Sequence, residues 1–108
     1  MADANDVFVG FVELDGTLAF LLPVRNTSDV PTAADAEPTY AIYTVNSDGT
    51  RTSRTTGTVG AALETGVYPF SDTVPSGEGF ARGQMYSIQF TYAMSAANRR
   101  KVYYFMVV

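Results

Sequence analysis

The sequence predicts an all-β fold, an antiparallel β-sandwich of about seven strands in a single domain. Apolar side chains recur at every second position along several segments, which is the period of a half-buried strand. Gly, Pro, Asp and Asn separate these segments at short intervals, and no segment has the apolar spacing of an amphipathic helix. Hydrophobic residues make up 46% of the 108 residues, enough to build one modest core. Residues 1–5 are expected to form a short polar arm.

The first two strand segments, Val7–Leu14 and Thr17–Val24, lie on either side of the dipeptide Asp15-Gly16. Because Asp-Gly supplies the positive φ angles of a two-residue hairpin turn, these segments predict a β-hairpin. The next residues, 25–38, contain two prolines and no periodicity, so we expect a polar connection.

The third strand segment, Thr39–Val45, ends at a turn that contains Asp48-Gly49. The fourth, Thr50–Val59, is rich in Thr and has almost no large apolar side chains. It predicts a solvated edge strand, in which Arg51 and Arg54 discourage edge-to-edge pairing and are candidates for polar contacts with a partner.

Three more strand segments follow, Gly66–Val74, Gln84–Met94 and Lys101–Val108. Pro69 in the first of them favours an edge or a bulge. The second is the clearest strand, because its large residues alternate strictly with smaller ones. The face predicted to point into the core carries Tyr86, Ile88, Phe90, Tyr92 and Met94.

The composition excludes several kinds of active site. The chain has neither His nor Cys, so a Ser-His-Asp triad, a thiolate nucleophile, a disulfide framework and an ordinary zinc site are ruled out. Carboxylates are the remaining candidates for catalysis, and they lie in loops or near turns, where such residues are usually solvated. We therefore expect no enzyme activity, no cofactor and no metal. The candidate carboxylates for catalysis are Asp35, Glu37, Glu64, Asp72 and Glu78, and the candidate oxygen ligands for calcium are Asp3, Asn5, Asp6, Asn46 and Asp48.

The net charge of −4 argues against nucleic-acid binding through phosphate contacts. Residues 1–48 carry eight acidic residues and one basic residue, and residues 49–108 carry three acidic and six basic residues. This asymmetry predicts an acidic and a basic face, unless the two halves interleave in the fold. The acidic start and the lack of a long apolar run predict a protein without a signal peptide or membrane span, made in a cytoplasm.

Both faces of the last strand segment are apolar, and so are both faces of the predicted first hairpin. A strand of an antiparallel sandwich needs only one buried face, so something must cover the other. Either a loop such as 25–38 covers it or a second subunit does. The residues predicted for such an interface are Phe8, Phe11, Phe20, Leu22, Tyr103, Phe105 and Val107.

The chain has seven tyrosines, and exposed tyrosine rings can form a surface that binds sugars. Tyr40, Tyr43 and Tyr68 are the candidates for a platform on which sugar rings stack. A core role is favoured for them, because Tyr40 and Tyr43 fall on opposite faces of one strand and the chain has no Trp.

Gly83 precedes Tyr86 by three residues, at the start of the clearest strand. This spacing is typical of the tyrosine corner of immunoglobulin-type sandwiches, in which the hydroxyl bonds back to nearby backbone. We predict that Gly83 and Tyr86 form such a corner, with a role in folding rather than in chemistry.

A broader pattern of turn glycines and core tyrosines covers about two-thirds of the chain. It consists of Pro38-Thr39-Tyr40-Ala41-Ile42-Tyr43, Asp48-Gly49, Gly57, Thr65-Gly66-Val67-Tyr68, Gly79-Phe80 and Gly83-Gln84-Met85-Tyr86, with a hydrophobic last strand. The pattern resembles small immunoglobulin-like modules in head, neck and tail proteins of tailed bacteriophages.

The resemblance implies a non-enzymatic virion component that serves as decoration, joint or adhesion surface, and it is more specific for fold than for role. The expected partners are further copies of the chain or other virion proteins, in a homo-oligomer or a larger assembly. The alternative is a carbohydrate-binding adhesion module.

Overall fold

A computed structural model describes residues 7–108, and the polar arm predicted for residues 1–5 lies outside this range. The described residues form seven strands and one short 3₁₀ helix. The strands are β1 (Val7–Val12), β2 (Thr17–Pro23), β3 (Thr39–Val45), β4 (Arg51–Thr58), β5 (Val67–Thr73), β6 (Met85–Met94) and β7 (Ala97–Val107), and the helix spans Ser76–Glu78. No helical segment in this range is long and apolar enough to span a bilayer.

The strands form two sheets, so the predicted all-β class and the seven strands are confirmed. The larger sheet has the order β1-β7-β6-β3-β4, and the smaller consists of β2 and β5. Each pairing is antiparallel except that of β1 with β7, which is parallel. The strand β4 lies at the edge of the larger sheet, as its Thr-rich sequence predicts.

The predicted hairpin between the first two strands is wrong, because β1 pairs with β7 and β2 pairs with β5. The turn has a positive φ of 66° at Asp15 but none at Gly16, so it is not the two-residue hairpin turn predicted for Asp-Gly. It carries the chain from one sheet to the other. Its hydrogen bonds explain why. The Asp15 N–H donates to the carbonyl of Val74, and the Asp15 carboxylate accepts from the N–H of Ser76 at 2.9 Å. The segment after β5 therefore holds this turn.

The core lies between the two sheets and is rich in aromatic rings. Phe20 and Phe70 of the smaller sheet pack on Phe90 and Tyr103 of the larger, with ring centroids 5.2–5.8 Å apart. Such edge-to-face contacts add to the burial of the rings. The strict alternation of β6 correctly predicts its inward face, because all five large residues named for that face are buried.

The tyrosine corner is present. The Tyr86 side chain is fully buried, and its hydroxyl oxygen accepts a hydrogen bond from the backbone N–H of Ala81 at 2.8 Å. Gly83 has a φ of +80°, a conformation that favours glycine, and its N–H donates to the carbonyl of Val107. The corner therefore ties the start of β6 to the end of β7.

Candidate interaction surface

Four of the residues predicted for an interface belong to the core instead. Leu22, Tyr103, Phe105 and Val107 are all buried. The last three occupy the face of β7 that meets the smaller sheet, and Leu22 points toward them from β2. Since both faces of β7 are apolar, the sequence alone did not distinguish inside from outside, and the prediction is wrong for these residues.

The prediction that Phe20 is an interface residue is also wrong. It is partly buried, and its ring packs on three core rings, those of Phe70, Phe90 and Tyr103. Its position on the inner face of β2 makes it a link between the sheets rather than a contact for a partner.

Phe8 and Phe11 are exposed, as an intermolecular role requires. Their exposed fractions are 48% and 66%, and their rings contact each other edge-on with centroids 5.4 Å apart. An irregularity in the β1–β7 register at Gly10 places both rings on the same side of the sheet. Phe8 lies beside Tyr104 and Phe11 beside Met106 on the outward face of β7.

The two rings continue an apolar area on the outside of the larger sheet. Met85 of β6 pairs with Met106 of β7, so it lies in the same row as Phe11. Tyr104 and Met106 are each partly exposed, and so is Met85. We call this area the β1 patch; its members are Phe8, Phe11, Met85, Tyr104 and Met106.

The loop 25–38 does not cover this patch. Its hydrogen bonds run to the other side of the molecule, where the Ala34 N–H donates to the Tyr68 hydroxyl at 3.0 Å. The Asp35 N–H donates to the carbonyl of Ala93, near the β6–β7 turn. The loop therefore closes one end of the sandwich, and the two exposed rings of β1 remain in solvent.

The two arginines of the edge strand lie on opposite sides of the sheet. The Arg51 guanidinium crosses the outer face, where it donates to the Ser87 hydroxyl at 2.6 Å and to the Tyr104 hydroxyl at 3.2 Å. It also lies 5.7 Å from the centre of the Tyr104 ring. Arg54 donates from Nε to the Thr44 hydroxyl at 2.6 Å. Both side chains thus have partners within the chain.

Arg51 gives the β1 patch a polar margin. Ser87 is fully buried because Arg51 lies over it. No Asp or Glu occupies the outward positions of β1, β3, β6 or β7 in the described residues. The patch is therefore apolar at its centre and carries no negative charge.

Among the described residues, the candidate carboxylates for catalysis or metal binding do not form a shared cluster. The Asp35 carboxylate accepts from the backbone N–H groups of Ser95 and Ala96. Asp48 accepts from Thr50, and the hydrogen bond from the Thr50 hydroxyl lowers the pKa of Asp48. In residues 7–108 no three acidic groups converge as a metal site would need, and Asp3, Asn5 and Asp6 lie outside the described residues.

The three tyrosines proposed for sugar stacking do not form one platform. Tyr68 is buried, and its hydroxyl accepts from Ala34. The Tyr40 hydroxyl donates to the Asp72 carboxylate at 2.7 Å, and burial together with this carboxylate raises the pKa of Tyr40 to about 12. Only Tyr43 points outward, beside an open depression of about 420 Å³ that is also lined by Gln89.

Searches against protein-family models, curated protein sequences and solved structures find no match to this chain.

Proposed function

We propose that this chain is a non-enzymatic structural protein that assembles with further copies of itself through the β1 patch. The observation that carries the proposal is the pair Phe8 and Phe11, two exposed rings in contact at the edge of a sheet. A contiguous apolar area at a sheet edge usually marks an interaction site. Burial of the exposed part of each ring stabilises an assembly by about 1 kcal/mol.

The charge distribution favours a second copy as the partner. In a symmetric pair the same patch meets itself, so any charge at its centre faces a like charge. The β1 patch has no such charge, and Arg51 at its margin is hydrogen-bonded to Ser87 and Tyr104. Two copies can therefore stack these faces without repulsion at the centre.

The experiment is the molar mass in solution, by light scattering over about a hundredfold range of protein concentration. We expect a mass above that of the monomer that rises with concentration and is reduced to the monomer mass by Phe11→Asp. Leu21→Asp is the matched control, since Leu21 is 56% exposed on the outside of the smaller sheet. A monomer at every concentration, or equal effects of the two variants, contradicts the proposal.

We further propose that the fold is immunoglobulin-like and that the protein is a component of a tailed-bacteriophage virion, as head decoration, neck or tail joint. The corner at Tyr86 and the parallel pairing of the first and last strands support the fold. The virion assignment rests on the resemblance of the sequence pattern. Its test is mass spectrometry of purified, protease-treated phage particles, in which peptides of this chain are expected; their absence contradicts the assignment.

A carbohydrate-binding adhesion module is the second candidate. The depression beside Tyr43 favours it, because an aromatic ring stands there next to the Gln89 amide and Thr hydroxyls. A glycan array is the test. Binding that is abolished by Tyr43→Ala and retained by Tyr104→Ala supports this function, and an array without signal excludes it for the glycans present.

A further inference from the structure

One end of the sandwich has basic side chains where the rest of the interior has apolar ones. On β7, Arg99 and Lys101 share the inward face with Tyr103. Lys101 donates a hydrogen bond to the carbonyl of Pro23, the last residue of β2. The inner face therefore changes from rings to cations where the smaller sheet ends.

These cations line a pocket of about 280 Å³. Its lining consists of Arg25, Tyr92, Arg99, Arg100 and Lys101. Three cationic side chains, those of Arg25, Arg99 and Lys101, are thus gathered at one place, whereas Arg100 alternates with its neighbours and lies on the outer face of β7. Such a concentration of like charge opposes folding unless an anion offsets it.

Carboxylates of the chain do little to offset this charge. The one ion pair in residues 7–108 joins Arg25 to Asp29 at 3.9 Å, and the Asp29 side chain is 87% exposed. Burial, with a smaller contribution from the charge of Arg25, lowers the pKa of Lys101. The pocket therefore holds cations that are close to one another and poorly neutralised.

Arg99 provides a second, independent observation. Its Nε atom is buried and has no hydrogen-bond partner among the described residues. A buried guanidinium N–H without an acceptor is costly, and native structures rarely leave one so. Because Arg99 lines the pocket, a shift of its side chain on ligand binding would bring this N–H to an acceptor.

We propose that this pocket binds a tetrahedral oxyanion, phosphate or sulfate, either free or as the end group of a larger molecule. Guanidinium groups match the oxygen geometry of such anions. Three cations against one exposed carboxylate favour a dianion over a single carboxylate ligand. The volume lies below the roughly 300–1,000 Å³ of pockets for drug-sized ligands, which suits a small group.

The residues have distinct parts in this site. Arg99 supplies its guanidinium, and Lys101, which also donates to the carbonyl of Pro23, supplies a second charge. Arg25 is an exposed residue of the pocket lining. Tyr92, whose ring is buried beside Arg99, offers a phenol hydroxyl as a further donor. The site is on the inner face of β7, so it is independent of assembly through the β1 patch.

The test is titration calorimetry of the full chain with sodium phosphate and sodium sulfate, at constant ionic strength. We expect binding that Arg99→Gln weakens about tenfold or more, the loss typical of a charge-assisted hydrogen bond. Arg82→Gln is the matched control, because it removes one charge from an exposed turn outside the pocket. Equal affinities for the two variants, no heat of binding, or acetate binding as tightly as phosphate overturns the proposal.

A second variant guards against loss of the fold. Arg25 is exposed, so Arg25→Gln is expected to keep the melting temperature while it weakens phosphate binding several-fold; unchanged binding overturns the proposal.

Methyl phosphate separates the two sources of the anion. Tighter binding than inorganic phosphate identifies an end group of a larger molecule, and weaker binding identifies the free anion, while failure of both to bind overturns the site.

Discussion

The Asp35 carboxylate accepts a hydrogen bond from the backbone N–H of Ala96, with 2.8 Å between Oδ2 and N. Its other oxygen accepts from the N–H of Ser95 at 3.1 Å. The β6–β7 turn has positive φ at both residues, 52° and 65°, although neither is glycine. Asp35 therefore stabilises a turn whose positive φ angles are unfavourable for Ser95 and Ala96.

Asp35→Ala is expected to lower the free energy of unfolding by about 1–2 kcal/mol, because it leaves two backbone donors without their acceptor. Urea denaturation measures this change. Glu37→Ala is the control, since it removes the same charge from the same loop, and Glu37 is exposed. Equal losses in the two variants would contradict the role of Asp35.

Ala96→Gly is expected to raise the free energy of unfolding by about 0.5–1 kcal/mol, because glycine adopts a positive φ without steric cost. The melting temperature is a sufficient measure. Ala93→Gly, in the regular part of β6, is expected to lower stability instead. A destabilised Ala96→Gly variant would show that the turn is not strained.

Tyr86→Phe is expected to cost about 1–2 kcal/mol of stability, since the Ala81 N–H loses its acceptor while the ring still fills its place. Tyr43→Phe is the matched control and should be nearly neutral. If both variants unfold at the same urea concentration, the corner does not contribute to stability.

Stability is expected to fall in alkali, in part because of Tyr40. Its pKa is raised from 10.0 to about 12, so the folded state keeps the phenol proton after the unfolded state has lost it. The contribution of Tyr40 is complete below pH 10 and is lost as the pH rises through about 12. Unfolding midpoints measured on both sides of this window should converge for the wild type and Tyr40→Phe, and a constant difference would exclude the effect.

Phe105→Ala is expected to destabilise the monomer by about 3–5 kcal/mol, the usual cost of removing a buried phenyl ring. Phe105 is fully buried and stacks on Tyr86 with centroids 5.5 Å apart. Phe11→Ala, at an exposed ring, should change monomer stability by less than about 1 kcal/mol. Similar losses in the two variants would contradict the assignment of the faces of β7.

The sequence predicted the all-β class and the inward face of β6 because strict alternation has only one interpretation. It did not predict the partner of β1, because an Asp-Gly turn is compatible with a hairpin and with a crossing between sheets. The deciding contacts, from Asp15 to Val74 and Ser76, are distant along the chain. Two apolar faces left β7 ambiguous for a related reason, since only the position of the second sheet selects between them.

The basic pocket was not predicted, because the last strand segment was taken to begin at Lys101, which left Arg99 and Arg100 outside any strand. A signal was nevertheless present. Arg99 and Lys101 keep the alternation of Tyr103, Phe105 and Val107, so they lie on the core side of the strand. A cation that continues an inward apolar face is a sequence-level indication of a buried charge.

The parallel pairing of β1 with β7 also bears on how the chain is made. A ribosome releases β1 first and β7 last, at roughly 5–20 residues per second, so β1 waits for seconds before its partner exists. During that interval β1, which carries Phe8 and Phe11, is an unpaired strand, and transiently exposed apolar surface and unpaired strand edges favour aggregation. Of the seven described strands, β1 therefore waits longest for its partner to be synthesised.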